Sequence, residues 1–362
     1  MKEKKINQIE PLIGNNDIKS INKYLNQDNW ITENKYTINF EKKFSEFVGS
    51  NYAVTFPNGT LTLFGILKAL ELKKNSFVLV PNITMVATAT AVKLAGLIPL
   101  FVDVDKENLC MCPRDLKKKI NKNVSAVIYV TLNGRSGSLD TIKKICLNHN
   151  KFLIEDSAHS IGSFFKNKHH GNYGVASSFS FSMPKIITTG QGGMIVTNSK
   201  KIYKKLKLLK NFGRSKSGED NYISQGYNFK FTDLQAVLGL SQMDNINERI
   251  NKKKSIFNFY YKKLSKIDKI KFLKFHKNET PWFVDIYIDD KKKLKNFLLK
   301  KNISTRDIYP SLNKLKFFNQ TRCRLPISDY FSKRGLWLPS SLNLTKKNLD
   351  YIVTCIKKFY EN

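Results

Sequence analysis

The sequence is poor in acidic residues. Of its 362 residues, 29 are Asp or Glu and 62 are Lys or Arg, which gives a formal net charge of +33. So strong a positive charge can indicate a nucleic-acid partner or an anionic surface. The lysines, however, are spread over nearly every predicted helix, and the sequence lacks both zinc-finger spacing and the aromatic–glycine signature of RNA-binding sheets. We therefore favour solvated lysine-rich faces and no nucleic-acid partner, and keep a basic nucleic-acid-binding protein as a distant alternative.

Cysteine is also scarce, and long apolar runs are missing. The five cysteines are Cys110, Cys112, Cys146, Cys323 and Cys355. The spacing of Cys110 and Cys112 is typical of neither a zinc pair nor a redox pair, so we predict no metal site and free thiols in a reducing compartment. The start of the chain lacks the apolar stretch of a signal peptide. The most apolar region, residues 84–102, is interrupted by lysine, glycine and proline. We therefore expect a cytoplasmic protein that does not span a membrane.

Short apolar runs alternate with helical patterns through the first two thirds of the chain. The predicted strands are residues 52–55, 77–80, 98–104, 124–130, 151–154, 175–181 and 194–197. Nearly continuous apolar strands that alternate with helices are typical of a mainly parallel sheet with helices on both faces. The fold class is therefore α/β.

The pattern changes near residue 250. Strands are predicted near 270–275 and 282–288, and a closing helix over 345–360, which together indicate a smaller α+β unit. We predict a large α/β domain over 14–248 and a small C-terminal α+β domain over 249–362, with residues 1–13 as a segment that could pack on the small domain. Just before that change, Thr232 and Gln235 have capping-box spacing and predict a helix over 233–250.

Polar residues follow several of the predicted strands. Asn58-Gly59-Thr60 connects a strand to a helix, and the free N–H groups at a helix start favour an anion such as a phosphate. Asp156 follows another strand, where it is either a site carboxylate or a helix N-cap. Because ligands of such sheets bind beyond the carboxyl ends of the strands, we expect these groups to face one site.

The stretch Ser178–Gly193 places Lys185 on a turn between two buried strands, directly after a proline and before a glycine cluster. Burial lowers the pKa of an amine, and a neutral amine is a nucleophile toward carbonyl groups. The alternative is a surface lysine on a hairpin, which a lysine-rich chain makes common. The neighbouring motifs favour the reactive amine.

Taken together, these motifs resemble those of the DegT/DnrJ/EryC1/StrS sugar aminotransferases, which are fold-type-I enzymes that depend on pyridoxal phosphate (PLP). The resemblance runs from Phe40 to the final helix and rests on the order and spacing of Asn58–Thr60, Glu155–His159, Ser178–Gly193 and Gly226–Gln235. Within the family, the chain is most similar to perosamine-synthase-type 4-aminotransferases.

The resemblance implies a role for each matching residue. Lys185 would be the Schiff-base lysine and proton carrier, and Asp156 would keep the pyridine nitrogen protonated. The phosphate would be bound by Gly59, Thr60 and Ser180. His159 would lie beside the phenolic oxygen of the cofactor, and Met85 would pack against the cofactor ring. Asn228 would reach the cofactor phosphate in the neighbouring subunit's site. Lys230 and Arg214 would contact the substrate. For His159 and Asn228 the alternatives are a hydrogen-bonded core histidine and a loop asparagine that caps its own backbone.

Three positions depart from the commonest family pattern. Met85 stands where many members have an aromatic ring, although a thioether can also pack on a ring face. Gln191 replaces a frequent glutamate. Lys230 replaces a frequent arginine, which keeps the charge but loses the fork geometry toward a diphosphate.

The resemblance thus implies transfer of an amino group from glutamate to a nucleotide-linked 4-keto-6-deoxy sugar, in a homodimer with shared active sites. Alternatives within the family are 3- or 4-aminotransferases of UDP- or dTDP-linked sugars. Related 3-dehydratases have histidine in place of the lysine, so Lys185 argues against them. A protein that keeps PLP for regulation without turnover is a further alternative.

Overall fold

A computed structural model describes residues 5–27, 30–216, 218–318 and 323–361. The α-helices in these ranges are α1 (Asn15–Leu25), α2 (Lys35–Val48), α3 (Gly59–Ala69), α4 (Val86–Leu94), α5 (Pro113–Lys119), α6 (Leu139–Asn148), α7 (Lys200–Lys210), α8 (Asp233–Asp244), α9 (Ile246–Leu264), α10 (Lys291–Lys300), α11 (Pro326–Arg334) and α12 (Lys346–Glu361). Within the same ranges, none of the helices is both long and apolar enough to cross a membrane.

The first large element of the fold is a sheet of seven described strands. They are β1 (Tyr52–Phe56), β2 (Phe77–Pro81), β3 (Ile98–Val102), β4 (Val124–Val130), β5 (Phe152–Asp156), β8 (Ala176–Ser180) and β9 (Gly193–Thr197); the short β6 (Phe164–Phe165) and β7 (Lys168–His169) form a separate hairpin. The strand order is β1-β9-β8-β5-β4-β2-β3, and β9 runs antiparallel to both of its neighbours while the other pairs are parallel. The predicted mainly parallel sheet is confirmed.

Helices cover both faces of this sheet because successive strand residues point in opposite directions. Val78 and Val80 of β2 pack in a core with α3, α4 and α7. Leu79, between them, packs in the core formed with α5 and α6. The nearly continuous apolar strand sequences are therefore explained by two buried faces.

A second, four-stranded antiparallel sheet follows later in the chain. It consists of β10 (Lys271–Phe272), β11 (Val284–Tyr287), β12 (Arg306–Asp307) and β13 (Gly335–Leu338), in the order β10-β11-β13-β12. Its core includes residues of α9, α10 and α12. At the other end of the chain, Ile6 pairs with Ile303 through backbone hydrogen bonds. The division at 248/249 falls inside α9, and the domain limits stay a prediction.

The predicted helix over 233–250 is wrong in its length. The capping box is present, since Thr232 accepts from the backbone of Gln235 and the side chain of Gln235 reaches back to the backbone N–H of Thr232. The helix ends at Asp244, however, because Asn245 leaves helical geometry (φ −108°, ψ 21°) and becomes the N-cap of α9. The apolar pattern continues across this break, which explains why the sequence indicates one helix.

Candidate active site

The turn after β1 presents backbone N–H groups to a cavity. The side-chain oxygen of Asn58 caps α3 by accepting from the backbone N–H of Leu61 at 3.0 Å. Gly59, the first residue of α3, lies so close to β8 that a Cβ atom there would be 3.0 Å from the Cβ of Ser180. Glycine therefore lets the start of the helix and a serine hydroxyl face the same space, and both groups favour an anion.

Asp156 is the last residue of β5 and is buried. Its Oδ2 accepts from the hydroxyl of Thr88 at 2.8 Å, and its Oδ1 accepts from the backbone N–H of Ala158 at 3.2 Å. The contact with Ala158 belongs to a turn, so the N-cap alternative for Asp156 does not hold. Burial raises the pKa of this carboxyl, while the bond from Thr88, the bond from Ala158 and the charge of Lys185 lower it.

Lys185 lies in a turn, in which its backbone N–H donates to the carbonyl oxygen of Ser182 at 3.0 Å. Its Nζ is 4.0 Å from the centre of the Trp282 ring. Burial lowers the pKa of the amine to about 7, Asp156 opposes this change, and Arg306 adds to it. A large share of the amine is therefore neutral near pH 7, as a nucleophile requires. The surface-hairpin alternative for Lys185 is thereby disfavoured.

His159 also contacts Trp282. Its ring stacks on Trp282 at a centroid distance of 3.9 Å. Its Nδ1 accepts from the backbone N–H of Asn133 at 3.4 Å, and its Nε2 is 3.3 Å from the hydroxyl of Tyr309. Burial and two nearby cations lower the pKa of His159 well below its ordinary value, so its imidazole is neutral. His159 is both hydrogen-bonded in the core and part of the cavity wall.

One cavity of about 290 Å³ brings these groups together. The sequence-predicted residues that line it are Gly59, Thr60, Met85, Asp156, His159, Ser180, Lys185 and Gln191. Met85 is 42% exposed at the cavity wall. The remaining predicted residues lie elsewhere: Lys230 and Arg214 line a separate basic groove, and Asn228 is an exposed residue outside the described cavity lining. Arg214 there binds Asp220 at 2.6 Å.

Four further residues belong to the site and were not predicted from the sequence. Thr88 donates a hydrogen bond to Asp156, and Trp282, Arg306 and Tyr309, from the later part of the chain, line the cavity. Trp282 is one of three tryptophans, which is the one sequence signal that could have marked it. Thr88 lies in α4, Arg306 in β12 and Tyr309 in the segment after β12, and tertiary contact alone gives these three residues a place in the site.

Known proteins resemble this chain over nearly its whole length. A model of the DegT/DnrJ/EryC1/StrS aminotransferase family matches residues 11–357. The chain belongs to this family. It is accordingly a PLP-dependent sugar aminotransferase with the fold of that family.

Individual members of the family show the extent of the similarity. The chain is 32% identical to GDP-perosamine synthase of Escherichia coli O157:H7 over 342 residues, covering 92% of this chain and 93% of that protein. It is 30% identical to a UDP-4-amino-4,6-dideoxy-N-acetyl-beta-L-altrosamine transaminase of Helicobacter pylori, covering 90% and 81%. The solved structure of Helicobacter pylori PseC, an aminotransferase involved in the biosynthesis of pseudoaminic acid, matches with a TM-score of 0.94 and 26% identity, covering 99% and 100%.

Proposed function

We propose that this aminotransferase moves an amino group from glutamate to the keto carbon of a nucleotide-linked 4-keto-6-deoxy sugar, with Lys185 as the residue that holds PLP and carries protons. The observation that supports the assignment of Lys185 is the position of its side chain, which shares one cavity with Asp156 and with the start of α3. These are an amine, an anion and a phosphate-binding turn, the three kinds of group that the cofactor requires.

The cavity residues fit PLP at both of its polar ends. The part of the cavity that Gly59, Thr60 and Ser180 line would receive the phosphate, because the N–H groups at the start of α3 and the Ser180 hydroxyl lie there. Asp156 would hold the protonated ring nitrogen, since its carboxylate is already oriented by Thr88 and Ala158. Met85 and His159 would contact the cofactor from the cavity walls.

When bound, PLP supplies an aldehyde for linkage to amines and a ring that withdraws electrons from the bond being broken. The residues of the chain transfer protons and stabilise charge. The neutral amine of Lys185 takes a proton from the α carbon of the donor and later returns a proton to the carbon of the sugar that receives nitrogen. Asp156 keeps a negative charge next to the ring nitrogen, and Trp282 shields the amine from water on one side.

The relatives of the chain favour particular sugars and nucleotides as the substrate. The similarity to the E. coli protein favours GDP-perosamine formation, hence a role in O-antigen or polysaccharide biosynthesis. The similarity to the UDP-sugar transaminase favours the alternative, a UDP- or dTDP-linked sugar aminated at carbon 3 or 4. Lys230 and Arg214, which line one basic groove, are the proposed contacts for the diphosphate.

We further propose that the active unit is a homodimer. The exposure of Asn228 and its position outside the Lys185 cavity of its own chain support a role toward the cavity of a second copy. The cytoplasmic location remains a prediction. Analytical ultracentrifugation together with loss of PLP affinity in Asn228→Ala would test the dimer and the shared site.

Two experiments test the main proposal. Reduction of the holoenzyme with borohydride should fix the cofactor on Lys185, and peptide mass spectrometry should find it there. Lys253 is the matched control, because it is also a buried lysine whose pKa burial lowers to about 7, but its amine donates to the carbonyls of Trp282 and Ser340. Cofactor on Lys253, or transamination by Lys185→Ala, would contradict the proposal.

The substrate is tested by product mass spectrometry with glutamate and a panel of GDP-, UDP- and dTDP-linked keto sugars. We expect the GDP-linked 4-keto-6-deoxy sugar to be aminated fastest. Faster amination of a UDP- or dTDP-linked sugar would select the alternative.

A further inference from the structure

The cavity is lined by one cationic side chain, Arg306, to which the proposed mechanism assigns no role. Of the described residues that line it, three carry a charged side chain: Asp156, Lys185 and Arg306. The first two have assigned roles. Arg306 lies on β12 of the small sheet and lines the cavity together with residues that follow strands of the large sheet, such as Gly59 and Ala158.

Arg306 is positioned through a chain of aromatic contacts that ends at the reactive amine. Its guanidinium lies 5.4 Å from the ring centre of Trp337, with which it is also paired in the sheet. Trp337 contacts Trp282 at a centroid distance of 5.8 Å, and Trp282 lies 4.0 Å from Nζ of Lys185. The guanidinium is close enough for its charge to act on Lys185 and on His159.

The guanidinium has no carboxylate within 4 Å in the part of the chain that the structure describes. The carboxylate next to it in sequence, Asp307, is taken by two lysines of α10: Lys295 at 2.8 Å and Lys291 at 3.5 Å. Neighbouring strand residues point to opposite faces, which separates this carboxylate from the cavity. An unpaired cation in a reaction cavity is suited to an anionic substrate group.

We propose that Arg306 binds the α-carboxylate of the amino donor and so selects α-amino acids as donors. This inference rests on the proposed function, in which the donor's amine must reach Lys185. In an α-amino acid the amine and the carboxylate share one carbon, so the two groups that recognise them must line the same small space. The diphosphate of the other substrate lies beyond a whole sugar ring from its reacting carbon, which fits the outlying basic groove better.

The test separates the two half-reactions. The donor half is followed by the absorbance change of the PLP holoenzyme on mixing with L-glutamate alone. In Arg306→Gln, the glutamate concentration at half-maximal rate should rise about 10- to 150-fold, the range expected for a lost hydrogen bond between charged groups. In Arg306→Lys this glutamate concentration should lie between those of the unchanged enzyme and of Arg306→Gln, because lysine keeps the charge but cannot form two parallel hydrogen bonds to a carboxylate. The half-saturating concentration of nucleotide sugar in the second half-reaction should not change.

Arg334→Gln is the matched control, since Arg334 is an arginine of the small domain that already pairs with Asp289 at 2.6 Å and lies outside the described cavity lining. It should behave as the unchanged enzyme does. The holoenzyme spectrum of each variant shows whether the fold and the cofactor site persist, and the lysine variant supplies the result if the glutamine variant fails to fold.

A second measurement compares two donors that differ in the α-carboxylate. The unchanged enzyme should react with L-glutamate far faster than with 4-aminobutanoate, which has the same chain without the α-carboxylate, and Arg306→Gln or Arg306→Lys should reduce this preference. Unchanged glutamate saturation, or a loss that falls on the nucleotide sugar, would overturn the inference. Failure of the unchanged enzyme to react with any donor would instead refute the proposed function, so the two failures are distinguishable.

Discussion

The proposed attachment of PLP to Lys185 should depend on pH because of the surroundings of this amine. Burial brings the pKa of its amine from 10.5 to about 7. At pH 7 about half of such an amine is neutral, against roughly 0.03% of an ordinary lysine, a difference of about 10³-fold in reactive species. The apoprotein should therefore combine with PLP at a rate that rises with pH, has its midpoint near 7 and levels off above it.

Two variants should move this midpoint in opposite directions. Asp156→Asn removes the anion that favours the protonated amine, so the pKa of Lys185 should fall and the midpoint should move below that of the unchanged protein. Arg306→Gln removes a cation that disfavours the protonated amine, so the midpoint should rise. Neither charge is the main cause of the low pKa, which is burial, and both midpoints should therefore stay far below 10.5.

The assay is stopped-flow absorbance at the band of lysine-bound cofactor, with apoprotein and PLP mixed between pH 5.5 and 9.5. The Lys185→Ala variant, which should give no such band, serves as the blank. A midpoint near 10 would show that the amine has its ordinary pKa, and midpoints that move the same way in both variants would show that these two charges do not act on it as described.

Three further predictions concern single contacts. Thr88→Val removes the 2.8 Å bond to Asp156, so PLP affinity measured by equilibrium dialysis should fall about ten- to hundredfold, while Thr88→Ser should keep it; equal affinities would refute the role of this bond. Gly59→Ala places a Cβ 3.0 Å from Ser180 and should weaken PLP binding in the same assay, whereas Gly14→Ala, whose Cβ would be 3.9 Å from its nearest neighbour, should not; a tolerant Gly59 would argue against the phosphate site. Asp285→Ala leaves the buried guanidinium of Arg135 without its carboxylate partner, so the free energy of unfolding measured in urea should fall by about 3–5 kcal/mol. The control Asp289→Ala breaks the exposed pair with Arg334 and should lower the free energy of unfolding by less than about 1 kcal/mol. Similar losses in the two variants would contradict the reasoning from burial.

The sequence by itself was sufficient for the main sheet and for the groups at its strand ends. Strands buried on both faces leave continuous apolar runs, and turns between them leave short polar motifs, so Asn58–Thr60, Asp156 and Lys185 could be recognised without coordinates. The capping box at Thr232 is a local signal of the same kind. Local patterns did not find the end of α8 at Asp244, because the apolar periodicity continues past it.

Only the tertiary structure decided which side chains complete the cavity and what state its amine is in. Trp282, Arg306 and Tyr309 lie roughly a hundred residues or more beyond Lys185 in the chain, yet they line one cavity with it. Trp282 and, on the small sheet, Trp337 share a hydrophobic core with Val130, the last residue of β4. The pKa of Lys185 depends on burial and on two charges of opposite sign. Burial and charge act through space, and for this reason the spacing of motifs along the chain indicates a candidate lysine but not the pKa of its amine.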